Sequence, residues 1–129
     1  MHKSLSPPGI HPPFSNYSNG IEIVSRSRLV FCSGQLGVGA DESVPADLTG
    51  QAELCFSNIR AILVEAGMDL SHVVKLNAFV TAREHMRPYM DVRNALFPEP
   101  YPASTLMIVG GFSRPEFLVE VEAIAAAPG

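Results

Sequence analysis

The chain has 129 residues, of which 47% are hydrophobic and 17% charged, and this composition fits one globular domain with its own core rather than a disordered chain. Its formal net charge of −4 gives no electrostatic footprint for nucleic acid or an anionic membrane. No apolar run reaches the roughly 18 residues needed to span a bilayer, and residues 1–16 contain no apolar signal core. We therefore expect a cytoplasmic protein.

The N-terminal residues 1–16 are predicted to form an extended, proline-rich arm that precedes a single domain over residues 17–129. A helix is excluded in the arm by its four prolines, Pro7, Pro8, Pro12 and Pro13. Two short β-branched runs, Ile21–Val24 and Arg28–Ser33, are typical of a hairpin. A third strand is possible over Gln35–Val38.

The next segment has the clearest periodicity in the sequence. Apolar residues recur every three or four positions from Leu48 to Ala66, which predicts one face of a helix. Asp47 is a suitable N-cap, and Gly67 lies where a left-handed residue commonly ends a helix.

The C-terminal half predicts a strand over Val74–Thr81, a second helix over Arg87–Leu96, and final strands over Ser104–Val109 and Phe117–Ala125. The order ββ(β)αβαββ indicates an α+β domain in which a mixed, mainly antiparallel six-stranded sheet packs on two helices. Two helices leave one face of such a sheet uncovered. We therefore expect the chain to form an oligomer.

Common catalytic and cofactor motifs are missing from the sequence. The four histidines lack metal-ligand spacing, so we predict no metal site, and there is no GxSxG sequence. The glycine-rich GQLGVG over residues 34–39 fits neither the Walker nor the dinucleotide-binding pattern. Cys32 and Cys55 lie in apolar stretches and are interpreted as buried thiols in a reducing compartment, although one disulfide between them is also possible.

The last predicted strand carries two carboxylates, Glu120 and Glu122, whose spacing of two places them on one face. A solvated strand face accounts for this pattern as well as a catalytic role does. Leu118 and Ile124 share that face, however, and apolar neighbours raise the pKa of a carboxyl group, which suits it to proton transfer. One of the two glutamates is therefore the best acid–base candidate in the chain.

Several short motifs follow one another in the order of the predicted elements. They are the strand Leu29–Gln35 ending in Ser-Gly-Gln, then Gln51, Asn58-Ile59 and Glu65–Gly67 in the first helix, Val73–Lys75, Pro102-Ala103, and Val119–Ala125. Together these motifs, over roughly residues 17–126, resemble those of the Rid family (reactive intermediate deaminases, also called the YjgF family). On this ordered set the chain is identified as a member of that family.

The resemblance implies a chorismate-mutase-like α+β fold, a barrel-like homotrimer and ligand clefts between subunits. Archetypal Rid proteins hydrolyse enamines and imines, such as 2-aminoacrylate, to 2-oxo acids and ammonia without a metal or an organic cofactor. By position, Glu120 matches the glutamate that orients the attacking water. Ser33 matches the serine of the Ser-Gly-Gln motif, and Tyr17 matches a tyrosine that shapes the site.

The sequence departs from the family pattern at the residue that clamps the substrate carboxylate. Ser104 stands where the family has an arginine, and Met90 replaces a helix asparagine. A serine cannot supply the bidentate, charge-assisted bonds of a guanidinium. Arg114, in the turn before the last strand, is a candidate replacement cation or else a solvated turn residue. We count Ser104 and Arg114, with Tyr17 and Ser33, as candidate substrate-binding residues.

The resemblance therefore predicts an enamine or imine deaminase that acts weakly or not at all on the usual small 2-imino acids. The alternative is a non-enzymatic trimer that binds a small metabolite, because an intact fold without the clamp fits that role equally well. A remote third hypothesis is a ribonuclease or translation inhibitor, as older descriptions of the family propose. The acidic charge and the lack of a basic stripe interleaved with aromatic residues oppose that hypothesis.

Overall fold

A computed structural model of the chain describes residues 2–129. Its regular elements are β1 (Lys3–Leu5), β2 (Gly20–Glu22), β3 (Ser27–Leu36), α1 (Leu48–Glu65), β4 (Val73–Val80), α2 (Met86–Leu96), β5 (Ala103–Ile108) and β6 (Val119–Pro128). Single turns of 3-10 helix precede β4 and α2. Within the described part of the chain, no helix is both long enough and apolar enough to cross a membrane.

The strands form two sheets. A four-stranded sheet has the order β3-β6-β4-β5, and a two-stranded ribbon joins β1 to β2. In the larger sheet β6 runs antiparallel to both of its neighbours, whereas β4 and β5 are parallel. The predicted α+β class, with two helices and a mixed, mainly antiparallel sheet, is confirmed.

The prediction of one six-stranded sheet was wrong. The runs 28–33 and 35–38 belong largely to one strand, β3, which carries a bulge between Cys32 and Gln35. The predicted hairpin is not formed, because β2 pairs with β1 of the N-terminal arm instead of with β3. The arm's prolines lie beyond Leu5 and so leave the preceding residues free to pair. The division into an arm and a domain at residue 17 stays a prediction.

Helix α1 is the centre of the core. Its buried stripe includes Ala52, Cys55, Phe56, Ile59 and Leu63, and it packs on β3, β6 and α2. The helix begins where the Asp47 carboxylate accepts a hydrogen bond from the Gly50 N–H, and it ends before Gly67, whose φ is 72°. Both predicted boundaries of this helix are confirmed.

A single amide, that of Gln51 in α1, joins three parts of the chain. Gln51 is fully buried, and its Nε2 donates to the carbonyl oxygens of Pro45 and Glu116, each at 2.9 Å. Its Oε1 accepts a 2.9 Å hydrogen bond from the Leu118 N–H. Buried polar groups need such partners, and all three hydrogen bonds depend on one side chain. The first turn of α1 therefore fixes the segment that leads into β6.

Replacing Gln51 by leucine is expected to lower the free energy of unfolding by at least about 2 kcal/mol. The reason is that a buried N–H and two carbonyl groups lose their partners, and each unsatisfied group costs roughly 1–3 kcal/mol. Urea unfolding followed by circular dichroism measures the change. The control is Gln35→Leu, because the Gln35 amide bonds only to the Ser33 carbonyl of its own strand. A loss for Gln51→Leu no larger than that of the control would contradict the role of this amide.

Candidate functional site

The helices cover one face of the four-stranded sheet and leave the other without helical cover. On β4 and β6 buried residues alternate with half-buried ones, so alternate side chains face away from the helices. This surface, which we call the open face, includes Leu29, Phe31, Ser33, Leu36, Lys75, Asn77, Phe79, Thr105, Met107, Glu120, Glu122 and Ile124. Both candidate glutamates therefore lie on the face opposite the core.

The two glutamates differ in their hydrogen-bond partners. The Glu122 carboxylate accepts a 3.0 Å hydrogen bond from Asn77 Nδ2 on the neighbouring strand. The Glu120 carboxylate has no hydrogen-bond partner within residues 2–129, and its side chain is half-buried. Glu120 is thus free to bind water or a ligand, whereas Glu122 is held in place by protein. Asn77 itself was missed at the level of sequence, where it was one polar residue of an alternating strand.

Glycine at position 34 makes room for the Glu120 side chain. A β-carbon built on Gly34 would lie 2.7 Å from Glu120 Cδ and 2.9 Å from Oε1. Ser33 and Gly34 form the bulge of β3, which places two residues opposite one on β6. An open depression of about 260 Å³ lies next to this point, lined by Ser33, Asn77 and Glu122 among others. We call Ser33, Gly34, Asn77, Glu120 and Glu122 the Glu120 cluster.

Tyr17 and Ser104 lie elsewhere in the chain. Tyr17 borders a second depression, of about 340 Å³, and its hydroxyl accepts a 3.1 Å hydrogen bond from the Phe14 N–H. Ser104 pairs with the fully buried Leu76 of β4, so it shares the helix-facing side of the sheet. Its hydroxyl is buried and has no hydrogen-bond partner among residues 2–129. A bridge between Ser18 and Ala103 brings the Tyr17 and Ser104 backbones together.

The fifth predicted site residue, Arg114, belongs to neither place. Its Nε lies 3.5 Å from a Glu116 carboxylate oxygen, and its guanidinium carbon lies 4.6 Å from the centre of the Phe117 ring. About half of its side chain is exposed. The structure therefore shows Arg114 engaged with its own loop.

Arg93 was missed at the level of sequence. It is only 3% exposed, and one of its terminal nitrogens donates a 3.0 Å hydrogen bond to the Ser15 hydroxyl, two residues before Tyr17. A signal was present, because Arg93 follows Tyr89 by four positions and so lies on the buried stripe of α2. We call Ser15, Tyr17, Arg93 and Ser104 the Tyr17 cluster.

The two clusters are separate within one chain. The Glu120 cluster lies mainly on β3 and β6 of the open face, whereas Ser104 is on β5 and faces the helices. Between β6 and β5 lies one strand, so their separation is about 10 Å at the usual strand spacing. One chain therefore does not unite Tyr17, Ser104 and Glu120 in one pocket.

The cysteines are buried and unpaired. Burial raises the pKa of the Cys32 thiol, and burial together with the Glu120 charge raises the pKa of the Cys55 thiol to about 12. Neither thiol is ionised near neutral pH, and ionisation is what makes a thiol a nucleophile. The interpretation of both residues as buried thiols is confirmed. Within residues 2–129, no group of three or more histidine, cysteine or acidic side chains is placed to hold a metal ion.

Three comparisons relate the chain to known proteins. A family model described as Endoribonuclease L-PSP matches residues 10–127. A Dermatophagoides farinae protein named 2-iminobutanoate/2-iminopropanoate deaminase is 29% identical over 122 residues, which cover 93% of this chain and 92% of that protein. Among solved structures, YyfB of Yersinia pestis, described as a Rid family protein of unknown function, has a TM-score of 0.86 at 25% identity and 98% coverage of both chains.

The structure of Escherichia coli TdcF with bound serine has a TM-score of 0.72 at 28% identity, covering 97% of this chain and 98% of TdcF. The four-stranded sheet, the two helices and the order of these elements therefore define an α+β protein with the same fold as YyfB and TdcF. The chain belongs to the Rid (YjgF) family. The match of the Endoribonuclease L-PSP model to nearly the whole chain and the similarity to these proteins establish this membership.

Two glycines near the site are expected to respond differently to alanine. Alanine at Gly34 meets the mobile end of the Glu120 side chain, so we expect it to displace the carboxylate at a cost in stability below about 1 kcal/mol. At Gly37 the new β-carbon would lie 2.7 Å from the Gln51 Cα, and backbone cannot move aside as easily. Overpacking there is expected to cost about 1–3 kcal/mol.

Urea unfolding and crystal structures of Gly34→Ala and Gly37→Ala check this pair. Equal losses of stability, or an unmoved Glu120 carboxylate in Gly34→Ala, would contradict the close approach of Gly34 and Glu120.

Proposed function

We propose that the protein is a deaminase that hydrolyses a reactive enamine or imine to a carbonyl compound and ammonia. The observation that carries the proposal is the half-buried Glu120 carboxylate, which has no protein hydrogen-bond partner within residues 2–129 and lies against the Ser33-Gly34 bulge. A relative across nearly the whole chain bears the name of a deaminase of small imines, which supports the same class of reaction.

The proposed reaction uses Glu120 to move protons. For an enamine substrate, protonated Glu120 first delivers a proton to carbon and so generates the iminium form. The carboxylate then accepts a proton from water as the water oxygen bonds to the iminium carbon. Returning that proton to nitrogen gives an ammonium leaving group. As the carbon–nitrogen bond breaks and ammonia leaves, the hydroxyl group forms the carbonyl and gives its proton to the Glu120 carboxylate, which restores the protonated acid. One positioned carboxylate therefore serves as both acid and base, and the mechanism needs no cofactor.

The substrate is proposed to differ from the usual small 2-imino acids. Ser104 provides no cation where the family pattern has an arginine, and its hydroxyl faces the helix side of the sheet. A substrate held without that arginine must be oriented by other contacts. We therefore propose a larger enamine or imine whose position is set by other residues of the cleft, including Tyr17 and Ser33.

The second candidate function is a trimer that binds a small metabolite without turning it over. The observation in its favour is the same serine at position 104, because losing the clamp removes a group that the reaction uses and leaves the fold intact. The description of the matching family model names a ribonuclease as a third function. The net charge of −4 opposes binding to a polyanion such as RNA.

The assembly is proposed to be a homotrimer with ligand clefts between subunits. Support comes from the separation of the Tyr17 and Glu120 clusters within one chain, since a site between two copies would draw one cluster from each. The open face also carries Leu29, Phe31 and Met107 at 51%, 70% and 50% exposure, and apolar side chains at such exposure favour a protein contact. We further propose that the trimer acts in the cytoplasm.

An imine-decay assay tests the proposed reaction. An amino-acid oxidase generates the imines of leucine, phenylalanine and 2-aminobutanoate, and semicarbazide traps what remains. We expect the wild type to accelerate the decay of at least one of the larger imines. Glu120→Gln is expected to lower the rate about 100-fold or more, because proton transfer contributes that much. Glu65→Gln, at the exposed end of α1 and outside both clusters, is the control and is expected to stay within about threefold of the wild type.

The Ser104→Arg variant separates the two candidate functions. Gain of 2-iminobutanoate hydrolysis by Ser104→Arg would mean that the catalytic groups are intact and that the substrate differs. Absence of turnover by both wild type and Ser104→Arg, with either imine class, would contradict the deaminase and favour the binding trimer.

Light scattering tests the proposed assembly. Three chains of 13.9 kDa give about 42 kDa, and we expect that mass for the wild type. Phe31→Glu adds a charge to the open face and is expected to yield the single-chain mass. Phe14→Glu is the control, since Phe14 is 84% exposed but lies in the arm. A wild type of single-chain mass, or an unchanged mass for Phe31→Glu, would contradict an assembly through the open face.

A further inference from the structure

The side chain of Arg93 presents a charge that the rest of the described chain does not balance. Arg93 is 3% exposed, yet no carboxylate lies within ion-pair distance of it in residues 2–129. Its hydrogen bonds go to neutral oxygens, those of Ser15 and Asn94, and its guanidinium carbon lies 5.9 Å from the centre of the Tyr89 ring, which carries no net charge. Burial lowers the pKa of this guanidinium, because its surroundings disfavour the charged form. A buried cation without a counter-ion is costly, so an anion is the missing partner.

The guanidinium also retains unused donors. Asn94 Oδ1 accepts from both Nε and Nη2, at 3.2 and 3.1 Å, and Ser15 accepts a second bond from Nη2. Nη1 makes no hydrogen bond to any residue in the range 2–129. The geometry thus leaves one terminal nitrogen, and one neighbouring hydroxyl at Ser15, for an incoming acceptor. Two acceptor oxygens on one group, as in a carboxylate, match that arrangement.

The position of Arg93 relates it to the candidate cleft. Ser15 and Tyr17 line the depression of about 340 Å³ together with Glu99, and Arg93 is joined to its wall by the hydrogen bond to Ser15. Ser104 adjoins the same segment through the pairing of Ser18 with Ala103. The cation and the strand position that holds serine instead of arginine therefore adjoin the same segment, residues 15–18.

We infer that Arg93 is the carboxylate-binding residue of the Tyr17 cluster, so that the substrate carries a carboxylate bound from α2 rather than from β5. This inference rests on the proposed function for its link to turnover, but the binding itself is independent of it. A carboxylate bound from another element would lie in a different place, which agrees with a substrate unlike the small 2-imino acids. The same chemistry has a second possible source, a carboxylate side chain of another copy of the chain.

Titration calorimetry with 2-oxobutanoate and the longer 2-oxooctanoate tests the inference. The wild type is expected to bind at least one of them, and not octan-2-one, which lacks the carboxylate. Arg93→Met keeps the volume without the charge and is expected to weaken binding roughly 30-fold or more. Arg93→Lys is expected to bind with intermediate affinity. Arg87→Met, on the same helix with its side chain 74% exposed, is the control and is expected to bind as the wild type does.

Thermal unfolding and mass provide a readout that does not depend on the ligand. Without ligand, Arg93→Met is expected to melt at or above the wild-type temperature, because it removes an unbalanced buried charge. Lower stability together with loss of the wild-type mass would assign the charge to a carboxylate of a second copy and overturn the inference. Equal binding by Arg93→Met and wild type would overturn it as well. If Arg93→Met does not fold, the wild type alone still tests the inference. Binding of octan-2-one by the wild type as tightly as 2-oxooctanoate would overturn it.

Failure of the inference can be told apart from failure of the proposed function. Glu120→Gln is expected to lose turnover while it still binds the 2-oxo acid, since it leaves Arg93 untouched. If binding depends on Arg93 but the wild type hydrolyses no imine, the carboxylate-binding role of Arg93 is supported and the deaminase proposal is rejected. If turnover depends on Glu120 but not on Arg93, the deaminase proposal is supported and the carboxylate-binding role of Arg93 is rejected.

Discussion

The hydrogen bonds of the Gln51 carboxamide are the constraint on which the site depends. One buried side chain at the start of α1 holds the loop before that helix and the segment that leads into β6. Asn58, two turns further along, donates to the carbonyl groups of Leu36 and Val38 and so holds the end of β3. The strand that carries Glu120 and the strand that carries Gly34 are therefore positioned from the same helix. The carboxylate is placed by amides on the far side of the sheet.

Charge and burial are distributed differently in the two clusters. In the Glu120 cluster an anion is half-buried and without a protein donor, whereas in the Tyr17 cluster a cation is buried and without an acceptor anion. Each cluster thus leaves one charge for something outside the chain. Hydrolysis of an iminium carbon beside a carboxylate group would use both charges, one for the reacting centre and one for the substrate anion. Each cluster supplies only one of these two charges, so neither cluster alone has both groups that the proposed reaction uses.

Local patterns predicted much of this structure. The periodicity of α1 and its cap residues Asp47 and Gly67 gave both boundaries, because helix ends are set by nearby groups. Pairing of β1 with β2 was not predictable, since it joins residues 15 or more apart through a segment whose composition favours no particular partner. The alternation in β6 placed Glu120 and Glu122 on one face but did not separate their roles. That distinction arises from Asn77, a residue of another strand.

Arg93 and Ser104 were hidden for a related reason. A sequence shows that an arginine lies on an apolar stripe, but only the packing of Ser15 against it shows that it is buried without an anion. Likewise Ser104 could be matched to a family position, but its side of the sheet follows from its register with Leu76.

The bulge of β3 changes which residue numbers of that strand lie on the open face. Before it the odd-numbered Phe31 and Ser33 lie on the open face, and after it the even-numbered Leu36 pairs with Glu120 there. Removing one residue from Ser33-Gly34 would restore regular alternation with Leu36 still opposite Glu120, because the single remaining residue would face Glu122 and Gln35 would still face Val121. The extra residue therefore turns neither half of β3 over, and its effect is confined to the local bend and twist of the strand beside Glu120.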